Sequence, residues 1–204
     1  MNNNNSKIPE STFHVTVCAS GGGGNFEALI KGQVAGGYAI NLLIVDRKCG
    51  AIDKAVQSNI PYLLVDKKNI GSRFFEVMDR AVPLGTNLIV LAGFYPIIND
   101  EFCRKWAGRI INTHPSLLPK YGGKGMYGVK VQEAVLANKE PLAGCTVHYV
   151  NEQIDGGGII LQKTVTVDPK ESAWELGGRI FAEENKLLVE AIKILIQKQR
   201  GSDV

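Results

Sequence analysis

The chain has 204 residues, of which 45% are hydrophobic and 21% are charged, and its formal net charge is +3. This length and composition predict a soluble globular protein with a full hydrophobic core. The small positive charge excludes any argument for nucleic-acid binding from composition, and it is compatible with anionic small molecules. No apolar run approaches the ~20 residues that a membrane-spanning helix needs.

Four cysteines lie at positions 18, 49, 103 and 145 and form no CxxC pair. This spacing predicts buried free thiols in a reducing compartment. The first residues are rich in asparagine and contain no apolar signal-peptide core. We therefore expect a disordered or frayed tail over residues 1–12, a single domain over residues 13–199 and a cytoplasmic location.

The first predicted strand, residues 13–19 (FHVTVCA), is followed at once by a glycine loop, residues 20–24 (SGGGG). A predicted helix opens at Asn25. Glycines let a ligand approach the backbone closely, and the free N–H groups and dipole of a helix start attract phosphate. The pattern favours a phosphate site, although a tight turn would use the same residues.

A dinucleotide-binding loop is the alternative for this segment. Gly21, Gly23 and Asp46 match part of its fingerprint. Phe26 stands where the third glycine of that fingerprint is required, and the chain has no GxxxxGK[ST] motif. The match is partial, so a non-catalytic nucleotide-binding domain stays open as an alternative.

Strands and helices then alternate along the chain. The run at residues 87–92 (NLIVLA) is continuously apolar, which is typical of a parallel strand buried on both faces. The alternation predicts a doubly wound α/β fold, with a mostly parallel Rossmann-like sheet and helices on both faces. The further predicted strands are 39–45, 61–65 and 87–92, and the predicted helices are 51–58, 74–82 and 102–107.

The next strand ends in the motif at residues 112–119 (NTHPSLLP). Because side chains alternate along a strand, Asn112 and His114 are predicted to project from the same face. Pro115 cannot donate to a neighbouring strand, so the strand stops there. Ligands of α/β sheets bind at such strand ends, which favours a chemical role over a solvent-facing histidine in a turn.

The last third of the chain continues the pattern. Residues 120–128 (KYGGKGMYG) contain four glycines and are either a mobile flap over the site or a plain surface loop. The short connection after residue 150 predicts that the last two strands are antiparallel. The predicted elements are a helix at 129–138, strands at 144–150 and 159–167, and a helix from 171 or 172 to about 199.

Three polar residues of this region are further candidates. Asp155 precedes three glycines, and alone it is typical of a turn. Cys145 and His148 are three residues apart on a strand, which sends them to opposite faces, so no metal site is predicted. His148 is expected to support the site or the core, and His14 to be structural.

Together these residues resemble the folate-dependent formyltransferase family, from Val15 to about Ile194. The most specific matches are residues 112–119 and 155–157 (DGG), supported by residues 91–94 (LAGF) and 20–25 (SGGGGN). The resemblance to the branch that acts on glycinamide ribonucleotide implies an enzyme of de novo purine biosynthesis. It would transfer the formyl group of 10-formyltetrahydrofolate to the primary amine of that ribonucleotide. A 10-formyltetrahydrofolate hydrolase is the alternative within the family.

The resemblance also implies site residues and partners. Asn112, His114 and Asp155 would be catalytic, with formyl-folate as co-substrate and no metal. The partners would be these small molecules, with no nucleic acid or membrane, and the protein would be a monomer or homodimer. The ribonucleotide would contact Gly23, Gly24, Asn25, Glu183 and Glu184. The folate would contact Arg73, Tyr95, Pro96, Ile97, Ile98, Asn112, Asn151, Glu152, Gln153, Ile154 and Asp155.

Two of these positions depart from the family pattern, and one pair is ambiguous. Gly24 stands where many members have serine or threonine, which removes a hydroxyl donor to the phosphate. Pro96 stands where many members have an arginine that contacts the folate tail. Without the resemblance, Glu183 and Glu184 are typical of a solvated helix face. With it, Glu184 would contact the ribose or the glycyl amine.

Overall fold

The computed structural model describes residues 12–201, and the predicted tail lies almost entirely outside the described residues. Within them, seven strands alternate with helices. The strands are β1 (Phe13–Ala19), β2 (Tyr38–Val45), β3 (Tyr62–Leu64), β4 (Leu88–Leu91), β5 (Ile110–His114), β6 (Leu142–Tyr149) and β7 (Ile159–Thr166). The helices are α1 (Gly24–Gly36), α2 (Ala51–Gln57), α3 (Lys67–Ile70), α4 (Phe74–Ala81), α5 (Asp100–Lys105), α6 (Val129–Ala137) and α7 (Ala173–Gly201), with a 3-10 turn at Gly71–Arg73.

The strands form one sheet in the order β3-β2-β1-β4-β5-β6-β7. The first five strands pair in parallel, and β6 is antiparallel to both of its neighbours. The predicted mostly parallel α/β sheet is therefore confirmed, as is the antiparallel pairing of the last two strands. The reversed strand is β6, and β7 runs in the same direction as β5. Predicted and observed element ends differ by a few residues, as is usual for frayed termini.

Two hydrophobic cores lie on the two faces of the sheet. On one face, Val15 and Val17 of β1 pack with α1, α2, α6 and α7. On the other face, Cys18 of the same strand packs with Phe74 and Met78 of α4 and with α5. This alternation is the two-residue period of a strand covered on both sides. The helices thereby hold the sheet rigid and leave the carboxyl ends of its strands open at one edge.

None of the described helices combines the length and the apolar character needed to cross a membrane. The four cysteines are free thiols, and three of them are buried. Burial raises the pKa of Cys145 to about 12, so this thiol stays protonated and serves as a small apolar core residue.

Candidate active site

The side chains of Asn112 on β5 and His148 on the neighbouring strand β6 lie side by side. Asn112 pairs in register with Leu91 of β4 on one side and with His148 of β6 on the other. Residues directly opposite each other on paired strands project from the same face. The arrangement therefore places the Asn112 amide next to the His148 imidazole, with His114 two residues further along the same face.

Asp155 joins this group from the loop between β6 and β7. Its Oδ2 lies 3.6 Å from Nδ1 of His114, and its Oδ1 lies 3.7 Å from Nε2 of His148. The backbone N–H of Gly123 donates to Oδ2 at 2.8 Å. Both imidazole distances exceed a direct hydrogen bond, and each pair is an ion pair only when its imidazole is protonated. The structure thus brings Asn112, His114 and Asp155 together, although the sequence places Asp155 far from the other two.

The hydrogen bonds of His114 determine where its proton lies. Nε2 is 2.8 Å from the carbonyl oxygen of Tyr121, and a carbonyl only accepts, so Nε2 carries a hydrogen. Nδ1, which faces Asp155, is then unprotonated in the neutral ring and becomes an N–H donor only in the imidazolium. Nδ1 of His114 therefore faces the carboxylate of Asp155 with no hydrogen bond between them.

His148 is held in the opposite tautomer. Its Nδ1 lies 2.8 Å from the carbonyl oxygen of Tyr149 and donates to it, so Nε2 accepts from Nδ2 of Asn112 at 3.2 Å. Burial lowers the pKa of His148, which keeps the ring neutral and able to accept. This hydrogen bond orients the side-chain amide of Asn112, which is the supporting role expected for His148. The second N–H of the Asn112 amide stays available to a ligand.

A cavity of about 130 Å³ opens beside these residues. Of the eleven positions implied for folate, ten line it, and Arg73 instead lines a separate cavity of about 270 Å³ with Glu76 and Lys105. The cavity is also lined by Leu91, Phe94 and Val150, to which no ligand contact was assigned from the sequence, and by His148, which was expected only to support the site or the core. Leu91, Phe94 and Val150 are apolar and pack in or against one of the two cores, so hydrophobicity alone does not distinguish them as site residues.

The glycine loop, residues 20–25, is tied directly to the wall of that cavity. The N–H of Ser20 donates to the Gly93 carbonyl at 3.0 Å, and the Ser20 hydroxyl accepts from the N–H of Tyr95 at 2.8 Å. Gly23 precedes α1 with a φ of 73°, and a Cβ there would lie 2.8 Å from Cα of Ala51. Only glycine tolerates this conformation and this contact, so the loop keeps an open backbone at the start of α1.

The two adjacent glutamates of α7, Glu183 and Glu184, have different surroundings in the fold. Glu184 is buried and accepts a hydrogen bond from Nδ2 of Asn25 at 3.0 Å. Burial raises the pKa of Glu184, and the bond from Asn25 opposes that shift. Glu183 instead pairs with Lys186 at 2.8 Å near the surface. The interpretation of both glutamates as a solvated helix face is therefore wrong for Glu184, because α7 packs that side against α1.

The dinucleotide alternative loses support at two positions. Phe26 is fully buried in the core beneath α1, where close helix–strand packing would need a glycine. Asp46 is buried, which keeps its carboxylate away from a ligand in solvent, and its Oδ2 forms an ion pair with Arg47 at 2.7 Å. Among the described residues, no group of three or more histidine, cysteine, aspartate or glutamate side chains could hold a metal ion.

Comparisons with known proteins converge on one family. The family described as formyl transferase matches residues 13–192 of the chain. Phosphoribosylglycinamide formyltransferase of Haemophilus influenzae is 35% identical over 187 residues, which cover 88% of this chain and 85% of that protein. A chloroplastic protein of the same name from Arabidopsis thaliana is 35% identical over 192 residues, 91% of this chain. The chain spans 66% of that plant protein, which is just under two thirds of its length.

A solved structure extends the likeness to three dimensions. Glycinamide ribonucleotide transformylase 1 from Symbiobacterium toebii matches with a TM-score of 0.85 at 30% identity. The match covers 92% of this chain and 89% of that one. The fold of this chain is thus shared with that enzyme over most of both chains.

Proposed function

The chain belongs to the formyl transferase family, and we propose that it formylates the primary amine of glycinamide ribonucleotide, a step of de novo purine biosynthesis. Membership of the family implies a formyl donor derived from folate, and we take 10-formyltetrahydrofolate as that donor. The proposal is carried by one observation. The glycine loop, the cavity wall and the Asn112–His114 pair follow β1, β4 and β5, which are adjacent and parallel. Their carboxyl ends meet at one edge, where two substrates can bind side by side.

The cavity beside β4 and β5 fits a flat heteroaromatic ring. Leu91, Phe94 and Val150 supply apolar walls, and Asn112 and Asp155 supply polar groups at one end. Such a combination is typical of small-molecule sites, in which apolar area holds the ligand and a few polar groups orient it. The backbone of residues 151–154 supplies further donors and acceptors for the ring.

Bound formyl-folate supplies an activated formyl carbon, and the chain stabilises the charges that develop when the substrate amine attacks that carbon. Asn112 donates its second Nδ2 hydrogen to the formyl oxygen as negative charge builds there. As an imidazolium, His114 would carry a second N–H on Nδ1, and this N–H would be shared between the formyl oxygen and Oδ2 of Asp155. One positioned donor of this kind is typically worth ~10²–10³ in rate.

Asp155 is proposed to take part in the proton transfers of the reaction. Its carboxylate lies 3.6 Å from Nδ1 of His114 and would orient that ring towards the reacting groups. It also assists the movement of the proton that the amine loses towards the folate nitrogen that gains one. Positive φ at Asp155, 54°, shows that the loop holds this side chain in a backbone conformation that non-glycine residues rarely adopt.

The ribonucleotide is proposed to bind on the other side of these residues. The backbone N–H groups of Gly23 and Gly24 and the side chain of Asn25 would hold its phosphate at the start of α1. Glu184 keeps Asn25 in place through their hydrogen bond and would contact the ribose or the glycyl amine. Glu183 would contribute from the rim. Hydrolysis of formyl-folate would need neither this loop nor the pair of Asn25 with Glu184.

A single spectrophotometric assay tests the proposal. Formyl-folate is incubated with the enzyme in the presence and absence of glycinamide ribonucleotide, and release of the free folate is followed by absorbance. We expect folate release only when the ribonucleotide is present. Equal release without it would identify a hydrolase, and no release in either case would favour a binding module.

A further inference from the structure

Gly24 and Phe181 are in contact where α7 crosses the start of α1. A Cβ added to Gly24 would lie 2.4 Å from Cζ and 3.0 Å from Cε1 of the Phe181 ring. Gly24 has no positive φ, unlike its neighbour Gly23, so a side chain is excluded by the ring and not by backbone conformation. The missing hydroxyl at position 24 and the ring at position 181 are therefore one coupled feature of this chain.

Phe181 and Glu184 are three residues apart and so lie on the same side of α7. Glu184 is bonded to Asn25, and Phe181 covers Gly24, so each of these two consecutive residues of α1 meets its own partner on α7. The two partners differ in burial. Glu184 is 7% exposed, whereas Phe181 is 41% exposed. The Phe181 ring thus keeps part of its apolar surface exposed beside the start of α1.

We propose that the Phe181 ring packs against the apolar C–H face of the substrate's ribose and determines specificity for a sugar phosphate over phosphate alone; this deepens the function proposed above and rests on it. Aromatic side chains bind flat, partly apolar surfaces through buried area. The loop backbone then holds the phosphate, and Phe181 holds the sugar next to it. This chain has no hydroxyl at position 24 that could bond the phosphate. The apolar contact between Phe181 and the ribose takes the place of that bond.

The proposal predicts different effects on two simple probes. The full chain is titrated by calorimetry with ribose 5-phosphate and with inorganic phosphate. Phe181→Ala should weaken ribose 5-phosphate binding by about 10-fold and leave inorganic phosphate nearly unchanged. Gly24→Ser should weaken ribose 5-phosphate to a similar extent, because its Cβ displaces the ring. In the Phe181→Ala background, Gly24→Ser should cause no further loss of ribose 5-phosphate binding.

Two controls match these variants. Trp174→Ala removes a more exposed aromatic ring seven residues earlier on α7, and Gly178→Ser adds a hydroxymethyl group where a Cβ meets no atom within 4 Å. Both should bind the two probes like the unaltered chain. Thermal unfolding of every variant shows whether a loss of binding reflects a loss of folding.

Different results would overturn the role of the Phe181 ring and the proposed ribonucleotide site on which that role rests. Unchanged ribose 5-phosphate affinity in Phe181→Ala, or an equal loss for both probes, would overturn the role of the ring. Failure of the unaltered chain to bind ribose 5-phosphate would instead overturn the glycine loop as the ribonucleotide site. Because neither titration contains formyl-folate, both results are independent of turnover.

Discussion

Oδ2 of Asp155 lies 3.6 Å from Nδ1 of His114, just beyond hydrogen-bonding distance. The other ring nitrogen of His114 is bonded to the Tyr121 carbonyl, and Oδ2 itself accepts from the N–H of Gly123. Residues 121–123 therefore contact both members of the pair through backbone groups. Catalytic hydrogen bonds are often long without substrate and shorten in the reactive complex. We expect a proton on Nδ1 to draw the two side chains together.

The first prediction concerns this pair. His114→Ala and Asp155→Asn should each lower kcat by ~10²–10⁴, because each removes a positioned group that handles a proton. Thermal unfolding should change less than turnover, because neither side chain belongs to either hydrophobic core. Asp168→Asn, which alters an exposed turn carboxylate, is the control and should keep full turnover. Near-normal turnover in either site variant would refute the assignment.

The second prediction concerns pH and His148. Burial lowers its folded-state pKa below the usual 6.5, and the neighbouring Asp155 and His114 act on it in opposite directions. The unfolded chain therefore binds more protons than the folded one below about pH 6.5, so stability falls as pH falls through this range. His148→Gln should reduce the drop in Tm between about pH 7 and pH 5.5. An identical drop in the variant would assign the effect to other groups.

The third prediction concerns Glu184, whose effect on stability changes with pH in the direction opposite to that of His148. Burial raises its pKa above the usual 4.5, so the folded state binds more protons than the unfolded state above that pH. The stability that protonated Glu184 contributes is present at low pH and is lost as the pH rises through the raised pKa. Glu184→Gln keeps a hydrogen-bonding group beside Asn25 and should flatten the fall in Tm above about pH 4.5. Lys186→Met, which removes only the partner of Glu183, serves as the control.

The fourth prediction concerns Gly23. Any side chain there must adopt a positive φ and approach Ala51, so Gly23→Ala should lower stability by at least about 1 kcal/mol. Gly22→Ala, where a Cβ meets no atom within 4 Å, should stay within about 0.5 kcal/mol. Gly23→Val should raise KM for the ribonucleotide more than KM for formyl-folate. Equal increases in both constants would make the loop a purely structural turn.

The fifth prediction concerns Pro96, which is buried although both of its neighbours, Tyr95 and Ile97, are exposed. An arginine at this position would place a charge where the proline ring packs, and burying an unpaired charge is costly. Pro96→Arg should therefore destabilise the fold by ~1–3 kcal/mol, instead of adding a simple surface contact to the folate tail. Ile97→Arg is the matched exposed variant and should unfold at nearly the temperature of the unaltered chain.

The sequence by itself determined the α/β architecture of this protein and pointed to the segments that are proposed to carry its chemistry. The apolar segment before the glycine loop, the continuous apolar run of β4 and the proline after His114 are local patterns, and local patterns decide element type and strand ends. The glycine loop and the pair of Asn112 and His114 follow from them, because strand ends in such sheets carry the ligands. The antiparallel pairing of β6 and β7 followed from the short connection between them.

Only the tertiary structure decided which residues of distant segments meet. The register of β5 with β6 places His148 against Asn112, and the packing of α7 on α1 buries Glu184 beside Asn25 and lays Phe181 over Gly24. The contacts of His114 and Asp155 with residues 121–123 use backbone groups, which every residue possesses and which no sequence pattern marks. These relationships depend on packing between elements that are far apart in the chain, and packing is a property of the whole fold.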